Sequence, residues 1–125
     1  MPPRRRTAPA DGRAALAVWR ADPSGVPAPA RRIAVRFTLE ELADVAPGHT
    51  VEVRVPPDGA VQAVGGPRHT RGTPPNVVET DPQTWLALAT GTTTWAEAVA
   101  SGHVRASGER ADLAAHLPLQ AARPR

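Results

Sequence analysis

Residues 76–119 read NVVETDPQTWLALATGTTTWAEAVASGHVRASGERADLAAHLPL, and this stretch decides the fold. A strand over Asn76–Thr80 runs into Asp81, a good N-cap, and Pro82 suits the first helical position, where its missing N–H is not needed. The helix carries Trp85, Leu86, Leu88 and Ala89 and is expected to stop at Gly91, which enters a left-handed C-cap at little cost. Thr94 and Glu97 have the spacing of a capping box, so a second helix starts at once. It places Trp95, Ala98 and Val99 on one face and ends at Gly102. His103–Ser107 alternates as a strand, with Val104 and Ala106 on one side. Gly108 turns the chain, Arg110–Leu117 reads as a last helix, and Pro118 closes it.

Working upstream, Arg68–Pro75 is an irregular basic loop and Gly65-Gly66-Pro67 breaks whatever ladder precedes it. Before that break, Thr50–Val55 is the cleanest strand in the sequence, with Val51, Val53 and Val55 on one face and Glu52 and Arg54 on the other. Pro56-Pro57-Asp58-Gly59 is a hairpin turn, and Ala60–Val64 returns antiparallel. Arg31–Ala46 has two readings. Ile33, Val35 and Phe37 alternate like a strand, with Thr38 and Glu41 spaced to cap a helix after it. Val35, Leu39, Leu42 and Ala46 instead make one helical stripe. Asp22–Ala30, rich in proline, reads as a linker. Asp11–Ala21 has the capacity for a short helix with Leu16 and Trp19 on one side, and Met1–Ala10 has the composition of a solvated tail. The expected organisation is therefore an N-terminal arm over 1–30, one domain over 31–119 and a tail over 120–125, with the arm dispensable for folding and its packing on the domain, through Trp19, left open.

The order strand–helix–helix–strand–helix, with LALATG in the first helix and SGHVRASG across the last strand, resembles the C-terminal half of the sterol carrier protein 2 family. It looks most like the small actinobacterial bacterial sterol carrier orthologues, and GPRHTRGTPPNVVE resembles that subgroup's most distinctive loop. The likeness covers Val51–Leu119 well, Arg31–Thr50 loosely and the first thirty residues hardly at all. It implies one long helix over Arg31–Ala46. It also implies an α+β fold in which an antiparallel-rich sheet of about five strands carries helices on one face.

Length and composition fit one domain, large enough to bury a core without staples. Without cysteine there is no disulfide framework, thiolate chemistry or Cys-ligated metal. No apolar run reaches membrane-spanning length, and no apolar segment follows Arg4-Arg5-Arg6, so a cytoplasmic protein is expected. The isoelectric point of 11.2 reflects arginine alone: all 15 basic residues are Arg, and the net charge is only +3. With aromatics at 3% and no tyrosine, the stacking platforms of a nucleic-acid binder are missing, and no nucleic-acid partner is expected.

Catalytic signatures are absent. Ser24, Ser101 and Ser107 lie in no nucleophile-elbow context, and there is no phosphate-binding Gly-rich lysine motif. His49, His69, His103 and His116 lack metal-ligand spacing, so no catalytic residue, metal or cofactor is assigned. The richest polar group is the loop around Arg68, His69 and Arg71, which suits either a head-group or anion clamp or a loop-to-helix ion pair with Glu79, Asp81 or Glu97. Trp85, Leu88, Trp95 and Val99, with Val51 and Val53, are core candidates on periodicity alone. The resemblance adds a second role, since sterol-carrier-like domains enclose an apolar tunnel between sheet and helices. Ala87, Ala89, Ala98 and Ala100 would either open such a cavity or let helices pack closer. The expectation is a non-enzymatic carrier of a lipid, sterol-like or other apolar small molecule. Transient membrane contact and oligomeric state are left open. Two alternatives stand: an enzyme or accessory domain like those in mycothiol-dependent isomerase-like proteins, using His69, and an interaction module with a solid core.

Overall fold

The computed structural model describes residues 6–66 and 75–123. Helix α1 spans Pro9–Ala21, α2 Ala28–Val45, α3 Pro82–Thr90 and α4 Trp95–Ala100. The strands are β1 Val51–Val55, β2 Gly59–Ala63, β3 Asn76–Thr80 and β4 Val104–Ser107. Among the described residues they form a four-stranded sheet in the order β2-β1-β3-β4.

The fold is α+β as expected, but the sheet differs from the expectation of about five antiparallel-rich strands. It has four strands and is mixed: β1 pairs antiparallel with β2 and β3 with β4, while β1 and β3 run parallel. Alternation identifies strands but carries nothing about the direction of a neighbour. Direction is set by where β3 joins the sheet, on the edge of β1 away from β2. Val51, Val53 and Val55 are fully buried, whereas Glu52 is half-buried and Arg54 exposed. The buried face is the one that carries Val51, Val53 and Val55.

The double reading of residues 31–46 resolves as helix. Helix α2 even starts ahead of it, with Pro27 extended at the cap and proline in the first turn. The rotation of the helix turns Ile33 outward while Val35, Phe37, Leu39 and Leu42 are buried. Thr38 lies inside the helix, not at its cap. Its hydroxyl bonds back to Ala34 O at 2.8 Å and accepts from Trp85 Nε1 at 2.8 Å, which satisfies both groups in the core.

Helix α1, inside the arm expected to be dispensable for folding, packs against α2 and contributes to the core. Leu16 and Trp19 are buried with Gly12 and Ala15 on the same stripe. Trp19 Nε1 donates to Gln83 Oε1 at 2.9 Å, and Gln83 Nε2 donates to Pro23 O at 2.8 Å, so α3 holds both the helix and its linker. At Gly12 the Phe37 side chain lies directly on the helix backbone: an added Cβ would come within 3.0 Å of Phe37 Cβ, Cγ and Cδ1.

The expected last helix over Arg110–Leu117 is replaced by short 3₁₀ turns at Ala114–His116 and Gln120–Ala122. A helix that short has little stability of its own, and local partners compete for the backbone. Asp112 Oδ1 accepts from Ala114 N at 2.8 Å, and Leu119 N donates to Ala89 O at 2.9 Å. The segment instead delivers Ala111, Leu113, Leu119 and Ala122 singly into the core.

Candidate functional site

The residues expected to line a cavity separate into two groups. Val51 and Val53 of β1 and Trp85 and Leu88 of α3 are at most 1% exposed and lie in one packed cluster with Phe37, Leu42 and Val78. Trp95 is half-buried and packs on the edge of that cluster, while Val99 is 41% exposed. The division follows from the helices. Helix α3 is held firmly at both ends. At its start Asp81 Oδ1 accepts from Thr84 N at 2.8 Å and Oδ2 from Thr84 Oγ1 at 2.7 Å. At its end Gly91 takes the left-handed cap at φ 85°. Partial burial pushes the Asp81 carboxyl up, but the hydrogen bonds from Thr84, aided by the charge of His103, outweigh it and hold it below the usual carboxylate range. Helix α4 is capped by Thr94, whose Oγ1 accepts from Glu97 N at 3.1 Å and donates to Glu97 Oε1 at 2.9 Å. Only Ala98 of α4 is buried.

Arg68, His69 and Arg71 lie outside the described residues. Of the other histidines, His49 and His103 are exposed and bonded to Gln62 Oε1 at 2.8 Å and Ser101 Oγ at 2.7 Å, and His116 is half-buried. Among the described residues no group of three His, Cys, Asp or Glu is placed to hold a metal ion. No described helix is long and apolar enough to cross a membrane.

A groove of about 690 Å³ runs between α2 and β2, the outer strand, and was not legible in the sequence. Leu39, Ala43 and Val61 give it an apolar floor, and Arg36, Glu40 and Asp44 stand along its helix side. The segment at Arg6 and Thr7 closes one wall, held by Glu40. The Glu40 carboxylate accepts from Thr7 N at 3.0 Å and Thr7 Oγ1 at 3.2 Å. Beneath one end, Arg31 forks onto the fully buried Asp58 carboxylate at 2.7 and 3.1 Å, and Arg36 Nε donates to Asp58 O at 3.2 Å. The Asp58-Gly59 pair announced a turn; nothing local announced that its carboxylate would be buried against a helix.

The family of bacterial SCP orthologs matches residues 28–119, from the first residue of α2 to Leu119 at the edge of the second 3₁₀ turn. The chain belongs to this family. The match takes in α2, the whole sheet, α3 and α4 and leaves out α1, even though Trp19 of α1 is buried against the matched part. No curated protein matches the chain. Within the bacterial SCP ortholog frame, Val51, Val53, Trp85 and Leu88 belong to the core cluster, and the groove lies between α2 and β2 at the sheet's outer edge.

Proposed function

We propose that this bacterial SCP ortholog is a non-enzymatic carrier of a lipid or other apolar small molecule, admitted under α4 onto Val51, Val53, Trp85 and Leu88. The observation that carries this reading is the contrast between the two helices beside that cluster. Helix α3 is fixed by its caps and four buried side chains, whereas α4 is a six-residue helix that buries only Ala98 and leaves Trp95 half-covered. Lifting α4 forfeits little burial, and an apolar guest would regain it at roughly 25 cal/mol per Å². Membership of the family supports the ligand class. Arg68, His69 and Arg71 are proposed to hold a polar head group, on the chemistry of the arginine fork. Trp95 is the wall residue of this proposal, and Trp85, tied to Thr38, is the fixed base.

The test is native mass spectrometry of the purified full chain, followed by titration of single-tryptophan variants with fatty acid, acyl-CoA and sterol. Co-purified lipid and a ligand-dependent change in Trp95 emission, with Trp85 silent, support the carrier. No response of either tryptophan to any of the three, with the fold intact, removes it for those classes. A second reading, an interaction module with a solid core, is favoured by one observation: four of the six expected lining residues, Val51, Val53, Trp85 and Leu88, are at most 1% exposed within the core.

A further inference from the structure

The run Arg4-Arg5-Arg6 leads directly into Thr7, and no other serine or threonine of the chain has arginine both two and three residues before it. A cationic run ahead of an acceptor hydroxyl is a pattern that protein kinases read by charge. Thr7 is also the point at which one wall of the groove is fastened. Arg6, Thr7 and Ala8 form that wall as a strap ahead of α1. Arg6 and Ala8 are exposed, Thr7 is half-buried, and Ala8 is extended at φ −63° and ψ 134°.

One carboxylate does the fastening. Glu40 of α2 accepts from Arg6 N at 3.3 Å, from Thr7 N at 3.0 Å and from Thr7 Oγ1 at 3.2 Å. The Thr7 hydroxyl is therefore a donor into a charged acceptor. Replacing its proton by a phosphoryl group removes that donor and sets about −1.5 to −2 charges beside the carboxylate, an arrangement that repels. Asp11, in the first turn of α1, lines the same groove and adds to the repulsion. Of the two arginines lining the groove among the described residues, Arg6 sits on the strap and moves with it, and Arg36 Nε is engaged by Asp58 O at 3.2 Å. Beyond the strap, α1 stays anchored: Leu16 and Trp19 are buried, and Trp19 Nε1 donates to Gln83 Oε1. Loss of the Glu40 contacts is thus a local opening and not an unfolding of the helix.

We propose that Thr7 is a phosphorylation site for an arginine-selective protein kinase, and that the phosphate unfastens the strap from Glu40 and opens that wall of the groove. In the transfer, Thr7 Oγ1 attacks the γ-phosphorus of a nucleoside triphosphate held by the kinase. The Oγ1–P bond forms, the bond to the departing nucleoside diphosphate breaks, and the hydroxyl proton passes to the kinase's base. The kinase gains Thr7 when the three bonds to Glu40 open together, which leaves the packing of α1 in place. The strap lies apart from the cluster proposed to receive an apolar guest, so the two readings stand or fall independently.

The test incubates the full chain with ATP and a protein kinase selective for arginine two and three residues before the acceptor, and maps the product by mass spectrometry. One phosphate, on Thr7, is expected, and replacing Arg4 and Arg5 by alanine should slow its addition. Amide exchange of Arg6 and Thr7, read by NMR, should then speed up by at least about tenfold, the weight of one charge-assisted hydrogen bond. Exchange at Ala15–Trp19 should not change. In Glu40→Arg the sign should invert: the unmodified strap exchanges fast, and phosphorylation slows it, because the phosphate now meets a guanidinium. A misfolded variant cannot produce that inversion. A full chain left unmodified under conditions in which a peptide of residues 1–10 is phosphorylated would overturn the proposal. So would a phosphate on another residue, strap exchange that is unchanged or slowed in the wild-type protein (as a phosphate fastened to Arg36 would give), or the same sign of change in Glu40→Arg.

Discussion

Replacing Gly12 by alanine tests how α1 is attached, because two effects of opposite sign meet at one position. In an exposed helix interior the change stabilises by about 1 kcal/mol, since glycine is the costlier helix former. Gly12 is inside α1, with its N–H already donating to Ala8 O at 3.0 Å, so that gain is available in full. The new Cβ, however, would fall within 3.0 Å of three Phe37 atoms. Carbon atoms in contact sit at about 3.5–4.0 Å, so the two helices must separate by several tenths of an ångström or more. The Phe37 ring has no escape, being fully buried between α1, α2 and the sheet. Overpacking of a closed core costs roughly 1–3 kcal/mol and occasionally more, and the separation also loosens Leu16 and Trp19 on the same stripe. The expected net effect of Gly12→Ala is a destabilisation of about 1–2 kcal/mol, read as a lower urea midpoint with an unchanged slope. In a Phe37→Ala background the penalty should shrink, because Cγ and Cδ1, the nearest clashing atoms, are gone and only Cβ remains. If Gly12→Ala raises stability by ~1 kcal/mol in the wild-type background, α1 does not pack as described and the reasoning fails.

Trp19→Ala should cost roughly 3–5 kcal/mol through lost burial and a cavity, and deletion of residues before Ala28 should show a comparable loss in a urea melt; a truncated chain as stable as the whole would return α1 to the status of an appendage. The Arg31–Asp58 pair should be asymmetric: Arg31→Leu strands a buried carboxylate and should cost about 3–5 kcal/mol, whereas Asp58→Asn leaves a quarter-exposed guanidinium that can still reach water and should cost markedly less. Equal losses in the two variants would count against that burial. Asp81→Ala should remove a helix cap worth about 0.5–2 kcal/mol at neutral pH. Because the folded Asp81 carboxyl titrates below its unfolded value, its contribution is present above about pH 4 and fades as pH falls further. Stability curves of wild type and Asp81→Ala should therefore converge in acid, and a gap that stays constant down to pH 2 would rule out this linkage.

Local chemistry made the second half of the chain legible. The Asp81 and Thr94 caps, the Gly91 stop and the alternation of β1 each depend on neighbours within a few residues, and each appears where its spacing placed it. Tertiary contacts decided the rest. Residues 31–37 satisfy both a strand and a helix pattern, and only Thr38 meeting Trp85, with Phe37 meeting Gly12, makes the helix the consistent solution. The direction of β3 against β1 depends on where a connection crosses, which side-chain alternation does not encode. The 110–117 segment kept its apolar residues but not its helix, because Asp112, Ala89 and the core hold it at separate points. For the functional site the division is sharper. The sequence named apolar side chains of β1 and α3 that join the core, since periodicity assigns a face. Whether those side chains fill the space or enclose it depends on how closely two surfaces approach, and so did the groove beside β2, which exists only because α2 and an outer strand run side by side. Burial of Asp58 belongs to the same class: a charge enters a core when a distant partner, here Arg31, arrives to meet it, and that encounter is a property of the assembled fold.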